Sequence, residues 1–362
     1  MNILQVINSF KVIGGAERLL SEIVPMMNAH GHHVEVLVLQ DSDTFLNRKL
    51  KDAGVVIHSL NMKSLYSPLA IWKIRRFLKQ HPEFSVVHVH LFPSLYWVAF
   101  AASGMNRPLV WTEHSTKNKR WTKWYFRPID RLVYSQYCKL ICISPATLSA
   151  IRQWTKTAED SSRLCVVENG VDTRKFRKTA AAKPYRHTLI QVSRFTAAKD
   201  QDTVVRALTL LPNDVHAVFV GEGERLSAVS QLATGLNVQE RAHFLGARQD
   251  VAALLSSADI AIQSSNWEGF GLAAVEAMAN ELPVIASDVD GLRQVVEGAG
   301  LLFPHGNETV LAQQVDALLK NPGKCHDIAK QCLQRAQTYD ISIMVKKYID
   351  IYQTISNLKS PQ

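Results

Sequence analysis

The chain has 362 residues, 47% hydrophobic and 20% charged, which supports ordinary globular cores and, on length, two domains. No apolar run is long enough to span a bilayer, the first residues read as a buried strand and not a secretory leader, and five cysteines without a Cys-x-x-Cys pair read as reduced thiols of a cytoplasmic protein. The formal charge of +9 is uneven, with +12 in residues 1–180 and −3 in residues 181–362, so an anionic partner is expected for the first half alone.

In chain order, the pattern predicts strands at Ile3–Ile7 and Val34–Leu39 with a helix over Ala16–Ala29 between them. Further strands are expected at Val86–Val89, Leu109–Thr112 and Leu140–Ile143. Ser144-Pro145 then reads as an N-cap and a first-turn proline opening a helix toward Gln153. The second half repeats the alternation, with strands at Leu189–Val192, Ala217–Val220, Ile260–Ile262 and Val284–Ala286. Strands alternating with helices imply parallel sheets covered on both faces, an α/β fold with doubly wound, Rossmann-like domains. The expected division is an N-terminal domain at 1–172, a polar and basic linker at 173–187, a C-terminal domain at 188–339 and a closing helix at 340–362.

The most informative stretch is Glu268-Gly269-Phe270-Gly271-Leu272-Ala273-Ala274-Val275-Glu276. It reads as a glycine-containing loop between a strand and a helix. Glycines let a ligand approach the backbone, and a helix N-terminus favours an anion. Two carboxylates eight residues apart, beside such an N-terminus, suit a nucleotide-activated sugar. Gly14-Gly15-Ala16-Glu17 similarly opens a helix after the first strand, without the Gly-x-Gly-x-x-Gly of nicotinamide sites. Arg194 and Lys199 follow the strand Leu189–Val192, where two cations suit a diphosphate.

The Glu268–Glu276 segment resembles the paired-glutamate motif of the retaining glycosyltransferases of family 4, which have the GT-B fold. The likeness extends through Gly14-Gly15-Ala16-Glu17, Glu113-His114-Ser115, Asn169-Gly170-Val171-Asp172, Ser193-Arg194-Phe195 with Lys199, and Leu282–Ser287. It implies two Rossmann-like domains facing a central cleft, with the last helix crossing back to the first domain. It also implies site roles. Glu268 would hold the donor-sugar hydroxyls and Glu276 the ribose. Arg194 and Lys199 would stabilise the departing diphosphate, and Gly15 would contact the diphosphate or sugar. Phe270, Gly271 and Leu272 would offer backbone contacts, and His114 would meet the donor sugar. The family usually has glycine after the lysine, where this chain has Asp200, and a glycine pair where Asp290 replaces the first glycine.

No metal cofactor is expected, because cations and helix N-termini suffice around a diphosphate. His88-Val89-His90 lacks further ligands at a telling spacing, and Asp288-Val289-Asp290 reads as a loop feature. The basic-aromatic run holding Lys117, Lys119, Arg120, Trp121, Lys123 and Trp124 suits an anionic membrane or a lipid-linked acceptor. The amphipathic segment Leu69–Lys79 fits a membrane face or an ordinary core helix. The expectation is therefore transfer from a nucleotide-diphosphate sugar, most simply a UDP-sugar, to a lipid-linked or other membrane-surface saccharide in cell-surface polysaccharide assembly, at the inner face of the cytoplasmic membrane. One rival is a GT-B epimerase, which would need no acceptor. The other is a basic nucleic-acid-binding protein, which would leave the glutamates of the acidic half unexplained, so no nucleic-acid partner is expected.

Overall fold

A computed structural model describes residues 1–12, 14–116, 118–158 and 161–357. The chain forms two compact units, one of residues 1–170 with 341–362 and one of residues 171–340.

The first unit is built on a seven-stranded sheet, ordered β3-β2-β1-β4-β5-β6-β7, with every pairing parallel. Its strands are β1 (Asn2–Ile7), β2 (His33–Val38), β3 (Ile57–Ser59), β4 (Val86–His90), β5 (Leu109–Glu113), β6 (Lys139–Cys142) and β7 (Leu164–Val166). Alternation along the strands sends Leu4, Val6, Val87, Val89 and Trp111 to one core cluster. Ile3, Ile7, Val86, Val110 and Ile141 go to a second cluster on the opposite face. The helix Ile341–Asn357 covers that second face with Met344, Val345, Tyr348 and Tyr352, all buried. Ser144 caps the helix Pro145–Thr155 by accepting from the Thr147 amide at 3.1 Å, as its sequence signature predicts.

The second unit carries a six-stranded parallel sheet ordered β10-β9-β8-β11-β12-β13. The strands are β8 (His187–Val192), β9 (Val215–Val220), β10 (Ala242–Phe244), β11 (Ile260–Gln263), β12 (Val284–Ser287) and β13 (Leu301–Phe303). Four strands went unread in the sequence: β3, β7, β10 and β13. Each has three residues and sits at or next to a sheet edge, too short to show a period. Residues 173–187, read as a linker, lie along this unit. Asn280 donates to the Phe176 carbonyl at 2.9 Å, the Thr179 amide donates to Ser256, and Lys183 pairs with Asp259.

Candidate active site

In an open parallel sheet, ligands bind at the carboxyl ends of strands where the strand order reverses. In the second unit that point lies between β8 and β11. Arg194 and Lys199 sit in the loop leaving β8, and Glu268 sits in the loop leaving β11. The two loops are tied together. The Asn266 amide donates to the Ala198 carbonyl at 2.9 Å, and the Asp200 amide donates to Ser264 at 3.2 Å. Lys199 Nζ forms an ion pair with Glu268 Oε2 and reaches Ser265 Oγ at 3.4 Å. Glu268 Oε1 accepts from the Gly269 amide at 3.2 Å. Ammonium and carboxylate therefore hold each other in place. Arg194 is exposed and has no ion-pair partner among the described residues. Asp200, where the family favours glycine, has a local task. It caps the helix Gln201–Leu208, accepting from the Thr203 amide and hydroxyl.

The loop after Glu268 is shaped by two glycines. Gly271 has φ +95°, and a Cβ there would lie 2.7 Å from Leu292 Cδ2. Gly291 has φ +83°, and a Cβ there would lie 2.6 Å from the Glu268 carbonyl oxygen. A side chain would be strained at both positions by the positive φ, and at Gly291 it would also meet backbone. Gly271 caps the helix Leu272–Ala279, and its carbonyl accepts from the Ala274 and Val275 amides at 3.0 and 3.3 Å. The Leu272 and Ala273 amides therefore precede the helical ladder, and the positive end of the helix dipole lies beside Glu268. Glu276 is half-buried one turn in, on the same side as Leu272 and Ala273, while Ala274, Val275, Ala277 and Met278 are buried. The Phe270 ring is buried edge-on against Tyr339, at 5.1 Å between centroids, so only its backbone is available to a ligand. Asp288 is engaged by Arg293, which lowers its pKa, and one carboxylate of the Asp-x-Asp is thus already partnered.

In the first unit, Gly14 caps the helix Gly15–Ala29. Its amide donates to Glu17 Oε2 at 3.0 Å, so one of the amides expected to meet a phosphate is satisfied by the chain's own carboxylate. His114 stands at the carboxyl end of β5, half-buried, with Nε2 3.0 Å from His90 Nδ1. Burial pushes its imidazole down to about 4, so it is neutral at physiological pH. Burial likewise holds His88 and His90 well below the ordinary histidine value. Among the described residues, no cluster of three His, Cys, Asp or Glu could hold a metal.

Two family models account for most of the chain. "Glycosyltransferase Family 4" matches residues 13–175, and "Glycosyl transferases group 1" matches residues 172–335. The chain belongs to glycosyltransferase family 4. The family's enzymes are retaining, and this glycosyltransferase uses a nucleotide sugar. It is 29% identical to a phosphatidyl-myo-inositol mannosyltransferase of Mycobacterium leprae, over 96% of this chain and 95% of the relative. The crystal structure of Anabaena HepE in complex with UDP-glucose matches with a TM-score of 0.85 at 23% identity, covering 98% of this chain and 100% of that one. WaaG, a glycosyltransferase involved in lipopolysaccharide biosynthesis, matches with a TM-score of 0.73 at 19% identity, over 97% and 99% of the two chains. These likenesses show the GT-B fold.

The glycosyltransferase departs from expectation in its basic-aromatic run. Arg120 points inward and is only 6% exposed. Its Nη1 pairs with buried Asp130 at 2.6 Å, and its guanidinium lies over the rings of Phe92 and Tyr96. Tyr96 and Trp154 also donate to Asp130. Trp121 packs on the core, stacked with Trp154 at 6.2 Å. Arg120 and Trp121 therefore anchor the loop and cannot dock it on a surface. Lys119, Lys123 and Trp124 point outward, Trp124 being 82% exposed. Lys117 lies outside the described residues. In the helix Leu69–Gln80, Ala70, Ile74 and Leu78 face the core, Lys73 and Arg75 donate to backbone carbonyls, and Trp72 stays exposed.

Sequence reasoning missed the Gly221-Glu222-Gly223 turn after β9. A Cβ at Gly221 would lie 2.0 Å from the Ser193 carbonyl oxygen, and one at Gly223 would lie 2.2 Å from that of Phe195. The turn therefore buttresses the loop that carries Arg194. Its signal was available, as a Gly-x-Gly at the end of an apolar strand.

Proposed function

We propose that this enzyme transfers a sugar from a UDP-sugar, with retention, to a lipid-linked or other membrane-surface saccharide in cell-surface polysaccharide assembly. The observation that carries the reading is the Lys199–Glu268 pair beside the N-terminus of the helix Leu272–Ala279. Glu268 accepts from donor-sugar hydroxyls and Glu276 from the ribose. Arg194, Lys199 and the amides of the 270–272 turn meet the diphosphate, where negative charge grows as the glycosidic bond breaks. His114 contacts the donor sugar, and Gly15 lies at the diphosphate or sugar. No divalent ion is required, so transfer persists in EDTA.

A uridine donor is supported by the UDP and UDP-glucose bound in HepE. A lipid acceptor is supported by the names of the mannosyltransferase relatives, and a polysaccharide context by WaaG. Outward Lys119, Lys123 and Trp124 suit peripheral docking on an anionic cytoplasmic leaflet, and among the described residues no helix is long and apolar enough to cross it. The test is a thermal-shift panel of UDP-, GDP- and ADP-sugars, followed by transfer of the stabilising sugar to lipid extract in EDTA. A concentration-dependent rise with UDP-sugars and an α-linked product from an α-linked donor are expected. Stabilisation by none of the sugars overturns the reading.

A further inference from the structure

The face of the first sheet beneath the helix Ile341–Asn357 is apolar except at its centre. There Gln5 of β1, His88 and His90 of β4 and Thr112 of β5 are all buried. They do not make isolated pairs. His114 Nε2 lies 3.0 Å from His90 Nδ1, and His90 Nε2 lies 2.8 Å from Gln5 Oε1. Gln5 Nε2 lies 3.2 Å from Tyr352 Oη, Tyr352 Oη 2.5 Å from His88 Nδ1, and His88 Nε2 2.7 Å from Thr112 Oγ1. One path of hydrogen bonds thus runs from the candidate site to the last helix.

The chemistry of the path allows little freedom. The three imidazoles are neutral, so each has one N–H and one lone pair. An amide nitrogen only donates and its oxygen only accepts. With Gln5 Oε1 toward His90 and Nε2 toward Tyr352, His90 donates from Nε2 and accepts at Nδ1. His114 must then donate from Nε2 and keep Nδ1 as a bare lone pair. On the other side Gln5 donates to Tyr352, whose hydroxyl can either donate to His88 Nδ1 or accept a second bond from it. Turning the amide over would reverse the bonds to His90 and His114. The arm from Gln5 to His114 therefore has two settings, one for each amide orientation.

We propose that Gln5, His90 and Tyr352 act as positioning residues that hold His114 in a single tautomer, protonated at Nε2, so that Nδ1 is offered as an acceptor to a hydroxyl of the donor sugar. The donor-facing role of His114 rests on the function proposed above; the tautomer does not. A buried polar path of this kind is retained at a cost in stability, since every member must find its partner in a low-dielectric core.

The test is two-bond ¹H–¹⁵N correlation on the full chain labelled at histidine, with His114 assigned by its loss in His114→Gln. The wild type at neutral pH should show His114 as one species, with Nε2 protonated and Nδ1 bare. Gln5→Leu should convert it to a tautomer mixture and lower kcat on the order of ten- to hundredfold, with donor KM changed much less. Tyr352→Phe, which keeps the core shape, should shift the spectrum the same way more weakly. A mixture or Nδ1 protonation in the wild type overturns the relay, and so does an unchanged His114 spectrum in folded Gln5→Leu. Full transfer by His114→Gln overturns the donor-facing role while leaving the spectral result to stand alone.

Discussion

At the residue scale, the site joins groups whose removal should have separable effects. Glu276→Gln keeps shape and loses charge. Donor affinity should fall by about 1.5–3 kcal/mol, the range of a charge-assisted hydrogen bond, with an unchanged melting temperature. Calorimetric titration with the donor nucleotide decides it, and equal affinity removes Glu276 from the ribose. Lys199→Ala should be more severe than Arg194→Ala. On the proposed reading it strips a cation from the leaving group, and it leaves Glu268 without the ammonium it pairs with. Single-turnover rates on the two variants should rank in that order. Gly271→Ala tests the turn itself. At φ +95°, with Leu292 Cδ2 in the way, an alanine should destabilise the fold by about 1–3 kcal/mol in chemical denaturation. These positions were legible because their chemistry is local. Strand, glycine, carboxylate and helix follow one another within a few residues. The relay was not legible. Gln5 and Tyr352 are 347 residues apart, and nothing near either one announces the other.

At the scale of elements, the segment Asn118–Arg127 shows what composition alone misjudges. Its cations and tryptophans were read as one surface, yet Arg120 and Trp121 turn inward while Lys119, Lys123 and Trp124 turn out. The deciding partner is Asp130, ten residues on and fully buried, which draws the Arg120 guanidinium inward. Breaking that pair should be structural in effect. Arg120→Ala should cost about 3–5 kcal/mol, because it strands a buried carboxylate. Reversing Lys119 and Lys123 to glutamate should leave the melting temperature within a degree or two. The same double variant should sediment less with anionic vesicles at low salt, and the difference should shrink as salt rises. Equal sedimentation would return these residues to plain solvated surface. The long alternating strands were readable from their apolar runs. The three-residue strands were not, since they are recruited by the sheet and not by their own pattern.

For the molecule as a whole, the buried histidines set an acid limit. His88, His90 and His114 all titrate below the ordinary 6.5 in the folded chain, His114 at about 4. The unfolded chain therefore binds more protons as pH falls from 6.5 toward 4. Stability is whole above that window and is lost through it, by up to about 1.4 kcal/mol per pH unit for each histidine that remains neutral. Denaturant midpoints across pH 4–7 should fall on the acid side, and the slope should ease in His90→Gln; a flat profile would mean that these rings are protonated when folded. The closing helix has a further consequence, for the order in which the protein is made. A Cβ at Gly170 would lie 2.6 Å from Ile341 Cα, and one core cluster draws on both ends of the chain. On the ribosome, all seven strands of the first sheet emerge well before the helix that covers one of their faces. At about 5–20 residues per second, the 170 residues of the second unit delay that helix by roughly 9–34 seconds. Throughout that interval a half-dressed sheet is exposed to chaperones and to other nascent chains, while the second unit is free to fold.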